Sequence, residues 1–464
     1  MFSKLLRRDI MQSKKPLKIL AVPIDVGLAH ATRLAHMVRL LYDDPRSKNM
    51  EFTFISGDAT DGILKEYLGT RKIFSTKLRT HKLMENVLEL SDSLDLGLAY
   101  KLMTGPEAVL YVKKLYELLK KEKPDIILCD TNFHFMYALR MYLHDEKENG
   151  SSYDPIVISS LNGYMIFDKI DHDNLPIQMP ENFITEKIND FLRATKSSHF
   201  ITSSLLSVLN FGSYICVMGL SNKLKRDDIK KMSLFDLLHT NDMKNGYHFI
   251  LDFPNVTVPL KNKFNKNDII IGPPLIKLAA VAKDKTAHTH KNHIFITMGG
   301  TTDKETLVAT IRFALRYFEE KIVVTTGNIV GVEELQKIIN DPRLDIHRFV
   351  ELSSYIDGAQ YVIHHGGAGT FLALLDYYHT SKKYPRSIII ASNIDQLTRG
   401  AYLQSQGLAY IVRRSYVMKN SAKIDEALKK NIEAYKPTMK NVPDISFDEV
   451  DLKIKNEFFS LLTD

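Results

Sequence analysis

The chain has 464 residues, 44% of them hydrophobic and 25% charged, a balance that suits a folded globular protein with room for about two large domains or three smaller ones. No apolar run approaches the ~18 residues needed to span a bilayer, so no transmembrane anchor is expected, and Cys129 and Cys216 alone are too few for a disulfide framework or a thiolate metal site, in agreement with a reducing compartment. The formal net charge of +7 leaves 55 acidic residues interleaved with 62 basic ones, which suits an anionic ligand or a membrane surface and does not mark a nucleic-acid-binding protein.

Residues 1–16 carry Lys4, Arg7, Arg8, Lys14 and Lys15 among Leu5, Leu6 and Ile10, without the apolar core and small-residue cleavage site of a secretory signal. They predict a flexible basic leader on a cytoplasmic protein. Residues 17–23 (LKILAVP) form a short continuous apolar run, the pattern of a strand covered on both faces in a parallel sheet. The chain then turns through Asp25 to Arg33 into a helix with Leu34, Met37, Val38 and Leu41 on one face, and His30 stands at the loop–helix junction. A second strand is predicted at 51–56, and a helix over 106–123 feeds a strand at 125–129. Asp130 therefore sits just past a strand's carboxyl end, on the same sheet edge as His30 if the strands are parallel. Ligands of open α/β sheets bind at that edge. Residues 155–160 and 199–203 predict further strands, 221–262 reads as charged loops and short helices, and 268–271 is the last strand of this half, closed by Gly272-Pro273-Pro274.

From 275 to 292 periodicity fades into a linker, after which the alternation resumes. A strand at 293–298 ends in Gly299-Gly300-Thr301-Thr302, followed by a helix over 304–318, a strand at 321–325, a helix over 333–339, a strand around 347–350 and a strand at 387–391. Between the last two strands lies the stretch that organises this half, Tyr361-Val362-Ile363-His364-His365-Gly366-Gly367-Ala368-Gly369-Thr370, which runs into the apolar, helix-like segment 371–377. Strand, glycine turn and helix start follow one another directly. Glycines let backbone N–H groups approach an anion, and the donors and positive dipole end of a helix favour negative charge, so a diphosphate is the natural ligand. The alternative is an ordinary strand-to-helix connection. Near the end, Ser446-Phe447-Asp448-Glu449 is a capping box opening a helix with Val450, Ile454, Phe458 and Leu461 on one face. The whole predicts an α/β protein of two Rossmann-like, doubly wound lobes facing each other across a cleft.

In their order and spacing, Gly299-Gly300-Thr301, His364 to Thr370 and Asp395-Gln396 resemble the GT-B glycosyltransferases, specifically the UDP-glycosyltransferase superfamily and its relatives that act on lipid or peptidoglycan acceptors. The resemblance is strongest over residues 291–412 and weaker over 18–41 and 124–130, and Gly272-Pro273-Pro274 falls where the family's first lobe meets its linker. It implies a basic leader at 1–16, an acceptor-binding lobe at 17–274, a linker at 275–292, a nucleotide-sugar-binding lobe at 293–440 and a helix at 441–464 packing back across the lobes. It also implies a UDP-sugar donor as cosubstrate and no other cofactor.

Within that resemblance, the backbone of Gly367, Ala368, Gly369 and Thr370, the Thr370 hydroxyl and His365 would surround the diphosphate, with Gly300 and Thr301 facing the same phosphates. His30 is the expected general base, since imidazole titrates near neutral pH, and Asp130 would bond its other ring nitrogen to fix the tautomer. Asp395 and Gln396 offer the acceptors and donors that suit sugar hydroxyls. Phe349 and Val350 stand where the family contacts the nucleotide base through backbone groups. Two positions depart from the family: Ala29 replaces a common glycine, and Ala373 replaces a glutamate near the ribose, for which Asp376 is the expected substitute. Direct displacement with His30 as base predicts inversion and needs no metal. Asp171-His172-Asp173 and the set His288, His290 and His293 have metal-ligand spacing but read as a charged loop and a solvated linker. Structural readings stand beside each assignment: a satisfied core histidine for His364 or His365, a helix-start residue for His30 and a turn residue for Asp130. A nucleotide-sugar epimerase and a non-catalytic nucleotide-sugar-binding subunit are the alternative functions. The acceptor is left open among a small molecule, a lipid, a glycan and a nucleobase, with Lys223-Leu224-Lys225-Arg226 and the leader as the segments that would touch a membrane surface.

Overall fold

In the computed structural model the short apolar runs pair into two all-parallel sheets. The structure describes residues 15–24, 28–57, 61–69, 71, 74–77, 96–161, 169–171, 198–252, 258–261, 264–276, 291–299, 302–327, 329–391, 394–419, 422–438, 442, 444 and 446–463. The first half comprises β1 (Leu17–Pro23), α1 (Leu28–Tyr42), β2 (Met50–Ser56), α2 (Asp61–Leu68), β3 (Phe74–Lys77), α3 (Leu96–Thr104), α4 (Pro106–Glu122), β4 (Ile126–Asp130), α5 (Phe133–Glu148), β5 (Ile156–Leu161), α6 (Ser198–Leu224), α7 (Leu234–Leu238), β6 (Gly246–Ile250) and β7 (Asp268–Ile270). The second comprises β8 (His293–Thr297), α8 (Lys304–Tyr317), β9 (Ile322–Thr325), α9 (Val332–Ile338), β10 (Leu344–His347), α10 (Leu352–Ile356), β11 (Ala359–His364), α11 (Ala368–Ser381), β12 (Arg386–Ala391), α12 (Ile394–Ser405), β13 (Tyr410–Arg413), α13 (Arg414–Lys419), α14 (Ala422–Ala434) and α15 (Phe447–Thr463).

The first sheet has the order β3-β2-β1-β4-β5-β6-β7 and the second β10-β9-β8-β11-β12-β13. Both are doubly wound: the chain runs outward from a central strand, then returns to that strand's other side and runs outward again. The direction reverses between β1 and β4 in one sheet and between β8 and β11 in the other, which opens a crevice at the strands' carboxyl ends. The central strands are buried on both faces, in keeping with their mostly apolar sequences, with Ile126–Asp130 and His293–Thr297 buried throughout.

Helix α1 shows how the pattern becomes packing. Leu34, Met37, Val38 and Leu41 are fully buried against Ile19, Ala21, Phe52 and Phe54 of the sheet, and the same cluster contains Val450, Ile454 and Phe458 of α15. The chain's last helix thus lies on the first sheet's helical layer, where His36 Nε2 is 2.8 Å from Asp451 Oδ1. Val442, just before it, and Phe447, its first residue, pack with Phe371 and Leu375 of the second half, so this segment touches both halves.

Three expectations are corrected. Residues 199–203, expected as a strand, lie inside α6, because a short apolar run does not distinguish a buried strand from part of a helix that is apolar on every side. The strand expected around 347–350 is β10 and ends at His347, leaving Arg348, Phe349 and Val350 in the loop beyond it. The stretch 221–262, read as irregular, contributes the strand β6, whose Phe249 and Ile250 are fully buried. The basic leader up to residue 14 and most of the linker, 277–290, lie outside the described residues.

Candidate active site

The crevice of the first sheet is built from the ends of β1 and β4, whose last residues, Pro23 and Asp130, are paired. Asp130 is the final residue of β4 rather than one beyond it, and its side chain is fully buried, whereas His30, in the first turn of α1, keeps 23% of its side chain exposed. The two side chains meet with His30 Nδ1 at 2.9 Å from Asp130 Oδ1. Among the described residues the His30 ring has one other polar neighbour. Arg33, one helical turn on and so on the same face, donates from Nε to Asp130 Oδ2 and from Nη2 to Asp130 Oδ1, both at 2.8 Å, and that Nη2 is also 2.9 Å from His30 Nδ1. Burial alone would raise the Asp130 carboxyl, but the Arg33 guanidinium and the His30 ring outweigh it and hold the group well below the usual carboxylate range.

The residues after Asp130 lock it in place. Thr131 has φ +56°, a left-handed backbone that a β-branched residue seldom adopts and that costs on the order of 1–3 kcal/mol, and its hydroxyl donates to Asp130 Oδ1 at 2.9 Å. Asn132 caps α5 by accepting from the Phe135 N–H and reaches back with Nδ2 to the Pro23 carbonyl at 3.0 Å. Strand end, strained residue and helix cap together fix the carboxylate against the end of β1.

In the second crevice, β11 ends at His364 and α11 begins at Ala368, with Gly367 as an N-cap that has no side chain to offer. The first N–H groups of a helix have no intrahelical partner, so those of Ala368, Gly369 and Thr370 are directed outward from the helix start. His364 and His365 part ways here. His364 accepts the Gly366 N–H at Nδ1 and bonds Ser387 Oγ through Nε2, a fully satisfied buried ring that burial pushes down to about 3. The ring of His365 is buried between two glycines: a Cβ on Gly299 would lie 2.3 Å from it and one on Gly367 2.4 Å. Its Nδ1 is buried without a hydrogen-bond partner among the described residues, and burial, followed by the charge of Arg399, pushes it down to about 4. The ring is therefore neutral in neutral solution.

Beside this turn, Asp395 opens α12 and is held from behind by Arg399, which donates from Nη1 and Nη2 to its two oxygens at 2.9 and 3.1 Å and from Nη1 to the Gly366 carbonyl at 3.3 Å. Gln396 is buried next to Gly366. Arg399 also feels Asp252, two residues past β6 in the first half, and Tyr402 of the same helix joins the buried cluster that holds Val22 and Cys129. The carboxyl-end loops of the two sheets meet at α12. Phe349 lies in the loop after β10, near Gly327, where a Cβ would stand 4.0 Å from its ring. Asp376 is two turns into α11, roughly 12 Å along the axis from its start. Gly300 and Thr301 lie outside the described residues.

Arg33, Thr131 and Arg399 escaped the reading of the sequence, although the two arginines stand three and four residues after His30 and Asp395, spacings that put them on a shared helix face. Of the two sets with metal-ligand spacing, only Asp171 and His293 fall among the described residues. His293 is a buried strand residue bonded through Nε2 to the Tyr355 carbonyl at 2.8 Å, while His172, Asp173, His288 and His290 lie outside the described residues. Among the described residues no group of three metal-ligating side chains comes together and no helix is long and apolar enough to cross a membrane. Lys223 and Arg226 are engaged within the protein, by the Thr104 carbonyl and by Asp145 and Asp228.

No protein-family model and no curated protein matches the chain in sequence. Solved structures do match it in shape along nearly its whole length. The glycotransferase of kitacinnamycin has a TM-score of 0.55 at 14% identity, over 97% of this chain and 96% of that one. CalG4, the calicheamicin glycosyltransferase, has a TM-score of 0.52 at 12% identity, over 97% and 95%. At these identities the likeness speaks to architecture, and it agrees with the two doubly wound sheets. The chain has the two-lobed GT-B fold of the glycosyltransferases.

Proposed function

We propose that the protein transfers a sugar from a nucleoside diphosphate sugar to an acceptor hydroxyl, with inversion at the anomeric carbon. The observation that carries this reading is the pairing of His30 with Asp130: one ring nitrogen is committed to a buried carboxylate, and the other, Nε2, has no partner among the described residues. A base is oriented in this way when it must take a proton from something that is not part of the protein.

In this reading the acceptor O–H gives its proton to His30 Nε2 while its oxygen forms a bond to the anomeric carbon. The bond from that carbon to the diphosphate oxygen breaks, and negative charge grows on the leaving group. The N–H groups of Ala368, Gly369 and Thr370, the Thr370 hydroxyl and an Nδ1–H on His365 receive that charge, with Gly300 and Thr301 completing the set. Preorganised donors of this kind are worth roughly 3–4 kcal/mol each at the transition state. They do so without a metal. Asp395, held by Arg399, and Gln396 take the sugar hydroxyls, and Phe349, Val350 and Asp376 take the base and ribose. A uridine nucleotide is the first donor to test, with the thymidine nucleotide beside it.

The experiment is to incubate the purified protein with UDP- and TDP-sugars, with and without hydroxylated acceptors. Release of nucleoside diphosphate that depends on acceptor, with an inverted linkage in the product, supports transfer. Free epimerised sugar nucleotide would identify an epimerase instead, and tight nucleotide binding with no release would identify a binding subunit. Turnover abolished by a chelator and restored by a divalent cation would overturn the metal-free step.

A further inference from the structure

A helix that is apolar on every side belongs in a core or in a bilayer. α6 is such a helix over 27 residues, yet only part of it is covered. Cys216, Val217 and Leu220 pack into the buried cluster shared with α4 and α5. On the opposite side Val208 and Phe211, one turn apart, are 52% and 67% exposed, and Ile215 and Met218 continue that side half-buried. A lone exposed apolar side chain needs no explanation, but a continuous apolar side of one helix does.

The exposed part reaches past the sheet. α6 runs alongside α5 in the same sense: the Tyr137 hydroxyl donates to Ser221 Oγ, and Arg226, just beyond α6, donates from Nη2 to the Met141 carbonyl. α5 starts at the carboxyl end of β4, and Phe211 lies ten residues before Ser221, roughly 15 Å along the axis. Phe211 therefore projects beyond that edge of the sheet, on the side where the first crevice opens. α3 packs on α6, with the Tyr100 ring over Gly219 and the exposed Lys101 beside it. Neither α3 nor α6 contains an Asp or Glu, and across α3, α4 and α6, which pack on one another, six lysines stand against three glutamates.

We propose that this side of α6, with the lysines around it, docks the first lobe on an anionic lipid bilayer. Aromatic and aliphatic side chains of a helix, flanked by lysines and free of carboxylates, sit at the boundary of headgroups and acyl chains, where the lysines meet anionic headgroups. A protein partner fits less well, because lysine is depleted in protein interfaces, and a second copy would set like charges against each other. The docking is peripheral: among the described residues no helix is long and apolar enough to cross a membrane. It turns the mouth of the first crevice toward the bilayer, and it does not depend on the reading of His30 as base.

The test uses the full chain and vesicles of phosphatidylcholine, alone or mixed with phosphatidylserine. Flotation should show binding to the mixed vesicles that weakens as salt is raised or phosphatidylserine is left out. Because the chain has no tryptophan, Phe211→Trp places a single fluorescent reporter on the docking side, and Leu452→Trp places one on α15, where Leu452 is also half exposed. With mixed vesicles the emission of the first should shift to the blue and be quenched by brominated acyl chains, while the second should not respond. Val208→Ser combined with Phe211→Ser should lower the partition coefficient at least about ten-fold with little change in melting temperature; the Phe211→Trp reporter also serves if that variant folds poorly. No binding to the mixed vesicles, binding that survives the double substitution, an unresponsive Phe211→Trp, or a dimer that forms only while Phe211 is present would overturn the proposal.

Discussion

The imidazole of His365 fills the space that a side chain on Gly299 would need, with its Cε1 only 2.3 Å from where the Cβ would stand. Gly299 also has φ +64°, so a larger residue is opposed by its backbone and by the ring at once. Gly299→Ala and Gly367→Ala should each destabilise the protein by ~1–3 kcal/mol and weaken nucleoside diphosphate binding, because the ring must leave its slot. Gly369, also at the helix start, has open space at its Cβ position, and Gly369→Ala should keep or slightly raise stability. Thermal unfolding and nucleotide titration of the three variants check this. Equal losses at all three positions would mean that the slot is not what the glycines serve.

Thr131 offers a way to separate stability from activity. Replacing it with glycine relieves a left-handed backbone angle worth roughly 1–2 kcal/mol but removes the hydroxyl that holds Asp130 and loosens the unfolded chain. The terms nearly cancel, so Thr131→Gly should unfold within ~1 kcal/mol of wild type. Turnover should nonetheless fall by about ten-fold, since the carboxylate that orients His30 is less fixed. Denaturant unfolding and steady-state kinetics on the same sample make the comparison.

Acid should destabilise the protein in two stages. Burial pushes His134 down to about 4, His364 to about 3 and His365 to about 4. The unfolded chain protonates such rings near ~6.5, so between that pH and about 4 the unfolded state binds more protons and stability falls as pH falls. Asp130 and Asp268 act lower. Burial opposes their charge, but Arg33 and His30 in one case and His248 and Lys169 in the other hold both well below the ordinary range. Their contribution is complete above ~3.9 and is lost as pH drops further. Melting temperature should therefore change little from pH 8 to 7 and fall steadily from about 6.5 downward. A maximum near pH 5 would contradict this assignment of buried neutral histidines.

The last helix ties the two halves together through apolar burial. Ile454 is fully buried against the layer that carries α1, and Ile454→Ala should cost ~2–5 kcal/mol. Asp451→Asn, which weakens the contact to His36 near the surface, should cost less than about 1.5 kcal/mol. Chemical denaturation of both variants measures the difference.

The fold was legible where pattern and topology speak together. Short apolar runs such as 17–23, 293–298 and 361–363 read as buried parallel strands once helices were seen between them, and the glycine turn after His365 marked the crevice. His30 and Asp130 were picked out because both stand at the carboxyl ends of central strands, one in the helix that follows β1 and the other closing β4, although 100 residues separate them in sequence. What could not be read was orientation. The resemblance gave the diphosphate to His365 rather than His364, but the partners of the two rings depend on Ser387 across the sheet and on two glycines, which the pair itself does not show. Arg33 was hidden for the same reason: on a helix surface an arginine is ordinarily solvated, and only the depth of Asp130 turns it inward. Residues 199–203 misled because α6 is apolar all round and carries no helical period.

The most direct measurement compares His30→Ala with wild type in nucleoside diphosphate affinity and in acceptor-dependent turnover. If, as proposed, the second lobe holds the donor and the first supplies the base, affinity should stay within about two-fold while turnover falls by at least ~100-fold. Full turnover in the variant, or loss of nucleotide binding and turnover together, would contradict the division of labour between the two crevices.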